Sequence, residues 1–115
     1  MATAGDKEIG RGDIYWVNLD PTIGTGTQKT RPALIVSNNV QNKASSRVVV
    51  LPITSNIENI FRFHAEIKVK GKKAKAMADQ IRTVDKMRLT SLIGKCTNEE
   101  MTKVEEAMRI VLALD

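Results

Sequence analysis

A chain of 115 residues has room for one domain with a modest core, and 42% hydrophobic with 27% charged residues is globular composition rather than disorder. No apolar run approaches the roughly 20 residues that cross a bilayer, and Met1 to Gly12 holds no hydrophobic stretch, so no signal peptide or anchor is expected and a cytoplasmic protein follows by default. A formal net charge of +5 with a pI near 9.6 makes a polyanion the leading class of partner, because lysine and arginine release counterions on meeting phosphates.

Cys96 and His64 are the single cysteine and the single histidine. An intrachain disulfide and a cysteine-rich zinc site are therefore excluded, and no activating pair stands beside the thiol to make it a nucleophile. Neither a cofactor nor a metal is expected.

Residues 1–11 are polar and glycine-containing and read as a flexible lead, with a single domain over 12–115. Asp13 to Leu19 is rich in β-branched and aromatic residues and reads as a strand ended by the Asp20-Pro21 turn. Thr22 to Thr30, with Gly24 and Gly26, is a loop too long for a tight hairpin. Ala33 to Val36 is a buried-strand run entered through Arg31-Pro32, and Asn38 to Ser46 is a polar loop or a single helical turn. Arg47 to Leu51 is a second apolar run, closed by Pro52. Phe63 to Val69 alternates: Phe63, Ala65, Ile67 and Val69 share one face, His64, Glu66 and Lys68 the other. Lys70-Gly71-Lys72 turns the chain into another alternating stretch, Lys73 to Ala78. Asp79 to Val84 reads as extended, Asp85 to Leu89 as a helical turn, and Ile93 to Cys96 as a last strand.

The C-terminal segment is the clearest helix. Thr97 and Glu100 form a T-x-x-E capping box, and Met101, Val104, Met108, Val111 and Leu112 recur at helical spacing as one apolar stripe. Six or so short strands followed by one amphipathic helix describe a small barrel with a packed helix.

Three stretches, taken together in this order over about residues 10–113, resemble the MazF/PemK family of toxin–antitoxin ribonucleases. They are Gly12-Asp13-Ile14-Tyr15-Trp16-Val17-Asn18-Leu19-Asp20-Pro21, Lys29-Thr30-Arg31-Pro32-Ala33-Leu34-Ile35-Val36-Ser37 and Asp79-Gln80-Ile81-Arg82-Thr83-Val84-Asp85-Lys86. The resemblance implies a mainly β fold with a helix, an SH3-like barrel of the CcdB/MazF type. It also implies a homodimer, a cognate antitoxin partner, and cleavage of single-stranded RNA at short sequence motifs without metal. The family's catalytic pair, carried over by motif, falls on Arg31 and Thr54. Thr25, Lys29, Ser55, Asn56, Gln80 and Arg82 are the accompanying RNA-binding candidates.

These residue types suit the chemistry. RNA carries its own nucleophile, the ribose 2′-hydroxyl, so a site need only align it, move protons and stabilise a crowded dianionic phosphorane. Arginine presents a fixed fork of donors to phosphate oxygens and a charge that does not titrate away. A threonine hydroxyl adds one more donor. Gln80 and Arg82, two apart on an extended segment, would share a face, glutamine reading a base edge and arginine holding a phosphate or stacking on a base.

Each residue also has a plainer reading: Arg31 as a surface arginine, Thr54 as a turn residue, and Gln80 and Arg82 as the polar face of a strand. His64, among Glu66 and Lys68, reads as a surface residue. The lysines at 68, 70, 72, 73 and 75 surround a hairpin turn, where they would either add to RNA attraction or, the plainer reading, form a solvated edge. The family pattern has a glutamate in the loop after Thr25, where this chain has Gly26. That departure keeps open a catalytically silent RNA-binding module. A CcdB-like toxin acting on a protein is the other alternative, disfavoured by the Arg31 and Thr54 motifs and by a C-terminal stripe suited to packing on its own barrel.

Overall fold

The computed structural model describes residues 8–19 and 29–115. The Asp20-Pro21 turn, most of the 22–30 loop and all of 1–7 lie outside the described residues. Among those described, the strands are β1 (Asp13–Asn18), β2 (Thr30–Ile35), β3 (Arg47–Thr54), β4 (His64–Val69), β5 (Lys72–Met77), β6 (Arg82–Asp85) and β7 (Leu89–Lys95). The helices are α1 (Asn39–Ala44) and α2 (Asn98–Leu112), with 3-10 turns at Ala78–Gln80 and Lys86–Arg88. The strands form one curled sheet in the order β4-β5-β3-β2-β1-β7, with β6 paired to β3 beside that path. The architecture is mainly β with a C-terminal helix, as expected.

Both faces of the central strands are covered. Ile14, Leu34, Leu51 and Ile53 point to the core shared with Val104 and Ala107 of α2. The intervening Tyr15, Val17, Ala33, Ile35, Val48 and Val50 point to a second cluster that includes Ile9, Val84 and Leu89. Burial on both faces explains why these strands read as continuous apolar runs without alternation.

Two strands are longer than their apolar runs. The β2 ladder starts at Thr30, so Arg31 and Pro32 lie inside it, paired with Val17 and Trp16. Pro52 does not close β3, which continues to Thr54. Val36 donates to the Val49 carbonyl, so odd-numbered residues of β3 bond towards β2 and even-numbered ones away from it. On that far side β3 pairs with β6 through Val50 and with β5 from Ile53 onward. The missing N–H of Pro52 falls in the gap between these two ladders, where it costs no bond.

The β4–β5 hairpin turns through Lys70 (φ 51°) and Gly71 (φ 79°), the two positive-φ positions of a type I′ turn. Helix α2 has the expected capping box: Thr97 Oγ1 accepts from Glu100 N at 3.1 Å and Glu100 Oε1 from Thr97 N at 2.9 Å. Met101, Val104, Met108 and Val111 pack on the sheet. Leu112 leaves the expected stripe and is exposed, because the helix has run past the sheet by its last turn.

The end of the expected lead is packed. Ile9 is buried, Gly10 N donates to Asp13 Oδ2 at 2.8 Å, and Arg11 donates to the Val36 carbonyl and pairs with Glu105 at 3.3 Å. No helix among the described residues is long and apolar enough to cross a membrane.

Candidate functional site

The ends of β2, β3 and β5 and the start of β6 meet around an open cavity of about 650 Å³. Its lining includes Arg31, Thr54, Asn56, Gln80 and Arg82, five of the eight residues singled out in the sequence, together with Leu19, Pro52, Ile53, Lys75 and Met77. The sheet brings Arg31 and Thr54 together. Ala33 pairs with Pro52, and continuing that register outward by two residues sets Arg31 opposite Thr54. Because residues two apart in a strand share a face, both side chains stand on the same side of the sheet as Ala33 and Pro52.

The Arg31 guanidinium is exposed and, among the described residues, has no ion pair or hydrogen bond holding it. Thr54 is half-buried, and its Oγ1 accepts from Asn56 N at 3.2 Å. The plainer reading of Thr54 as a turn residue therefore fits this bond, and its hydroxyl proton is left for another acceptor. Asn56 repeats the device one step on, accepting from Glu58 N at 3.1 Å.

Gln80 and Arg82 reach the cavity by a different route from the one the alternation implied. Gln80 ends a 3-10 turn and Arg82 opens β6, so they do not lie on one extended segment. The turn forms because Ala78 is buried beneath α2 and its carbonyl accepts from Ile81 N at 3.2 Å. Gln80 Nε2 rests against Met77 Sδ at 3.4 Å, and Arg82 Nη1 donates to the Leu19 carbonyl at 3.2 Å, tying β6 to the end of β1.

Of the remaining candidates, Lys29 and Ser55 are exposed and do not line the cavity. Thr25, like Gly26, lies outside the described residues.

Two readings require correction. His64 is not a surface residue: its side chain is 7% exposed, Nδ1 accepts from Phe61 N at 3.2 Å, Nε2 lies 3.5 Å from Asp79 Oδ1, and the ring packs edge-on against Phe63. It anchors the β4 entrance to the turn that carries Gln80. Lys75 is not part of a solvated hairpin edge. It is 8% exposed, lines the cavity, and its Nζ donates to the Asn59 carbonyl at 2.6 Å. No local pattern distinguishes it from Lys72 or Lys73, since its position depends on pairing with a strand some twenty residues away.

Arg31, Lys75 and Arg82 give the lining three cationic side chains, and none of its described residues is acidic. Such a wall attracts an anion. Cys96 stands apart, buried beneath α2, where desolvation and then the Glu100 carboxylate push its thiol up to about 12. Among the described residues, no group of three or more His, Cys, Asp or Glu is arranged to hold a metal ion.

Comparison with known proteins bears directly on this geometry. The chain is 37% identical over 111 residues to endoribonuclease EndoA of Bacillus subtilis, covering 92% of this chain and 96% of that protein. It is 34% identical over 113 residues to endoribonuclease MazF9 of Mycobacterium tuberculosis, covering 90% and 96%. An endoribonuclease from a mycobacterial species, solved in complex with its cognate antitoxin, superposes with a TM-score of 0.75 at 25% identity, covering 95% and 97%. Residues 10–112 match the model of the PemK-like, MazF-like toxins of type II toxin–antitoxin systems, and it is to this family that the chain belongs.

Proposed function

We propose that this chain, a MazF-type endoribonuclease toxin, cuts single-stranded RNA at short sequence motifs by attack of the 2′-hydroxyl on the adjacent phosphate, without a metal ion. The observation that carries the reading is that Arg31 and Thr54 line one cavity whose described lining is cationic and free of acids. In the step, the 2′-oxygen forms a bond to phosphorus and loses its proton, the bond from phosphorus to the 5′-oxygen breaks, and that oxygen takes up a proton. A cyclic phosphate and a 5′-hydroxyl result. Arg31 stabilises the dianionic phosphorane with paired donors, and Thr54 donates its hydroxyl proton to a non-bridging oxygen. Because the nucleophile belongs to the substrate, no metal-bound water is required.

Gln80 and Asn56 supply donors and acceptors for a base edge at the cavity rim, and Arg82 holds a phosphate or stacks on a base. Ser55 and Lys29 serve as backbone contacts, and the family motif adds Thr25 to them. A cognate antitoxin with an acidic segment suits the same cationic groove, and the mycobacterial neighbour was solved in complex with its cognate antitoxin. The chain acts as a homodimer. Trp16 and Leu92, apolar residues 38% and 58% exposed on the adjacent strands β1 and β7, support a self-association surface.

The test is incubation with a long single-stranded RNA in EDTA, with ends mapped by primer extension and Arg31→Ala run alongside. Cuts at a recurring motif, lost in the variant, are expected. Intact RNA with the native chain points instead to the silent RNA-binding module that Gly26 in place of the family's glutamate leaves open.

A further inference from the structure

Lys75 is a buried ammonium with one partner. Thr54 pairs directly with Lys75 across β3 and β5, so the row that begins with Arg31 continues through Thr54 to Lys75 on one face of the sheet. Nζ donates one hydrogen bond, to the Asn59 carbonyl at 2.6 Å. Among the described residues no carboxylate lies within ion-pairing distance, although Glu66 faces Lys75 across the β4–β5 ladder. The residue as a whole is 8% exposed, and an ammonium with three donors and a single neutral acceptor is poorly compensated there. Lys75 borders the cavity, where an anion would satisfy its remaining donors.

We propose that Lys75 is a substrate-contacting residue that holds a second RNA phosphate, adjoining the one gripped by Arg31 and Thr54. This rests on the ribonuclease reading above and extends it. Thr54 pairs with Lys75, and Arg31, Thr54 and Lys75 all line the one cavity, so an RNA strand whose phosphate meets Arg31 and Thr54 also passes Lys75. The contact is made equally in the bound ground state and the transition state, so it governs KM rather than kcat. Through the Asn59 carbonyl, Lys75 also fixes the 55–63 segment that carries Asn56, which links phosphate capture to the placement of a base-reading side chain.

The experiment measures binding of an oligonucleotide spanning a mapped cut, made uncleavable by a 2′-deoxy substitution, to the native chain, Lys75→Met and Lys75→Arg at rising KCl. We expect about tenfold weaker binding for Lys75→Met, a salt slope shallower by about 0.7, and recovery of the slope by Lys75→Arg. In cleavage, Lys75→Met raises KM and spares kcat. A lowered Tm with the native salt slope means Lys75 only ties down Asn59, and overturns the proposal. Should Lys75→Met not fold, the Lys75 Nζ resonance of the native chain, assigned by its loss in Lys75→Arg, gives the answer. A shift on adding the oligonucleotide supports the proposal and an unmoved signal overturns it. Failure of the native chain to bind any RNA would sink the ribonuclease reading itself, whereas native cleavage with an unaltered Lys75→Met slope sinks this proposal alone.

Discussion

Arg31 and Thr54 border the same cavity, each two residues beyond the paired Ala33 and Pro52 of β2 and β3. Arg31 is paired with Val17 of β1 and Thr54 with Lys75 of β5, so both backbones are held by the sheet while their side chains border the cavity. Rigid placement of this kind is what a site needs if its donors are to meet a phosphorane without reorganisation.

Arg31→Ala is expected to lower cleavage by roughly 10²–10³-fold, the usual cost of removing a donor to a developing oxyanion. Its side chain is exposed and, among the described residues, unpartnered, so stability should move by less than about 0.5 kcal/mol. Parallel cleavage assays and urea unfolding check both halves, and a large loss of stability would reassign Arg31 to the scaffold.

Thr54→Val removes the hydroxyl while keeping the β-branched shape. Loss of the bond from Asn56 N should cost about 1 kcal/mol, and loss of the donor to phosphate should slow cleavage by at least tenfold. Thr54→Ser should retain both. If Thr54→Val cleaves at the native rate, the residue is a turn residue alone.

Glu100 joins two elements with one carboxylate: Oε1 closes the capping box and Oε2 accepts from Lys68 N of β4 at 2.6 Å. Glu100→Ala should destabilise the fold by about 2 kcal/mol, more than a cap alone, because the β4 amide also loses its partner. Catalysis below the unfolding transition should be unchanged. A loss of only a few tenths of a kcal/mol would show that water replaces the carboxylate at both amides.

Cys96 should resist alkylation in the native state. Burial pushes its thiol up to about 12, leaving roughly 1000-fold less thiolate near neutrality than the ordinary value of 9.0 gives. The neutral thiol is favoured on folding, so its contribution to stability is fully present below pH 9 and is lost as pH rises from about 9 to 12. Iodoacetamide labelling followed by mass spectrometry, with and without urea, measures the protection. Equal rates in the two conditions would contradict the burial.

The sheet's core and α2 were legible because their causes are local. The runs Ala33–Val36 and Val48–Leu51 are apolar throughout since both faces of β2 and β3 are covered, and the capping box announces where α2 begins. Strand ends were less legible: Pro52 looked like a terminus, and only the partner change from β6 to β5 makes it tolerable within β3. Arg31 and Thr54 were found through a resemblance, since nothing near either residue marks it. Lys75 and His64 were misread because their burial is set by distant partners, the 55–63 segment for one and Asp79 for the other. Gln80 and Arg82 reach one cavity through a 3-10 turn that an alternation argument cannot anticipate.

The most direct test of the central claim is end-group analysis of cleaved RNA. Two matched oligonucleotides carrying the mapped motif, one all-ribose and one with a single 2′-deoxy at the cut, would be incubated with the native chain in EDTA. A 2′,3′-cyclic phosphate and a 5′-hydroxyl are expected from the first and no cleavage of the second. Cutting of the deoxy-substituted strand, or a 5′-phosphate on the products, would contradict it, because the nucleophile would then come from outside the RNA.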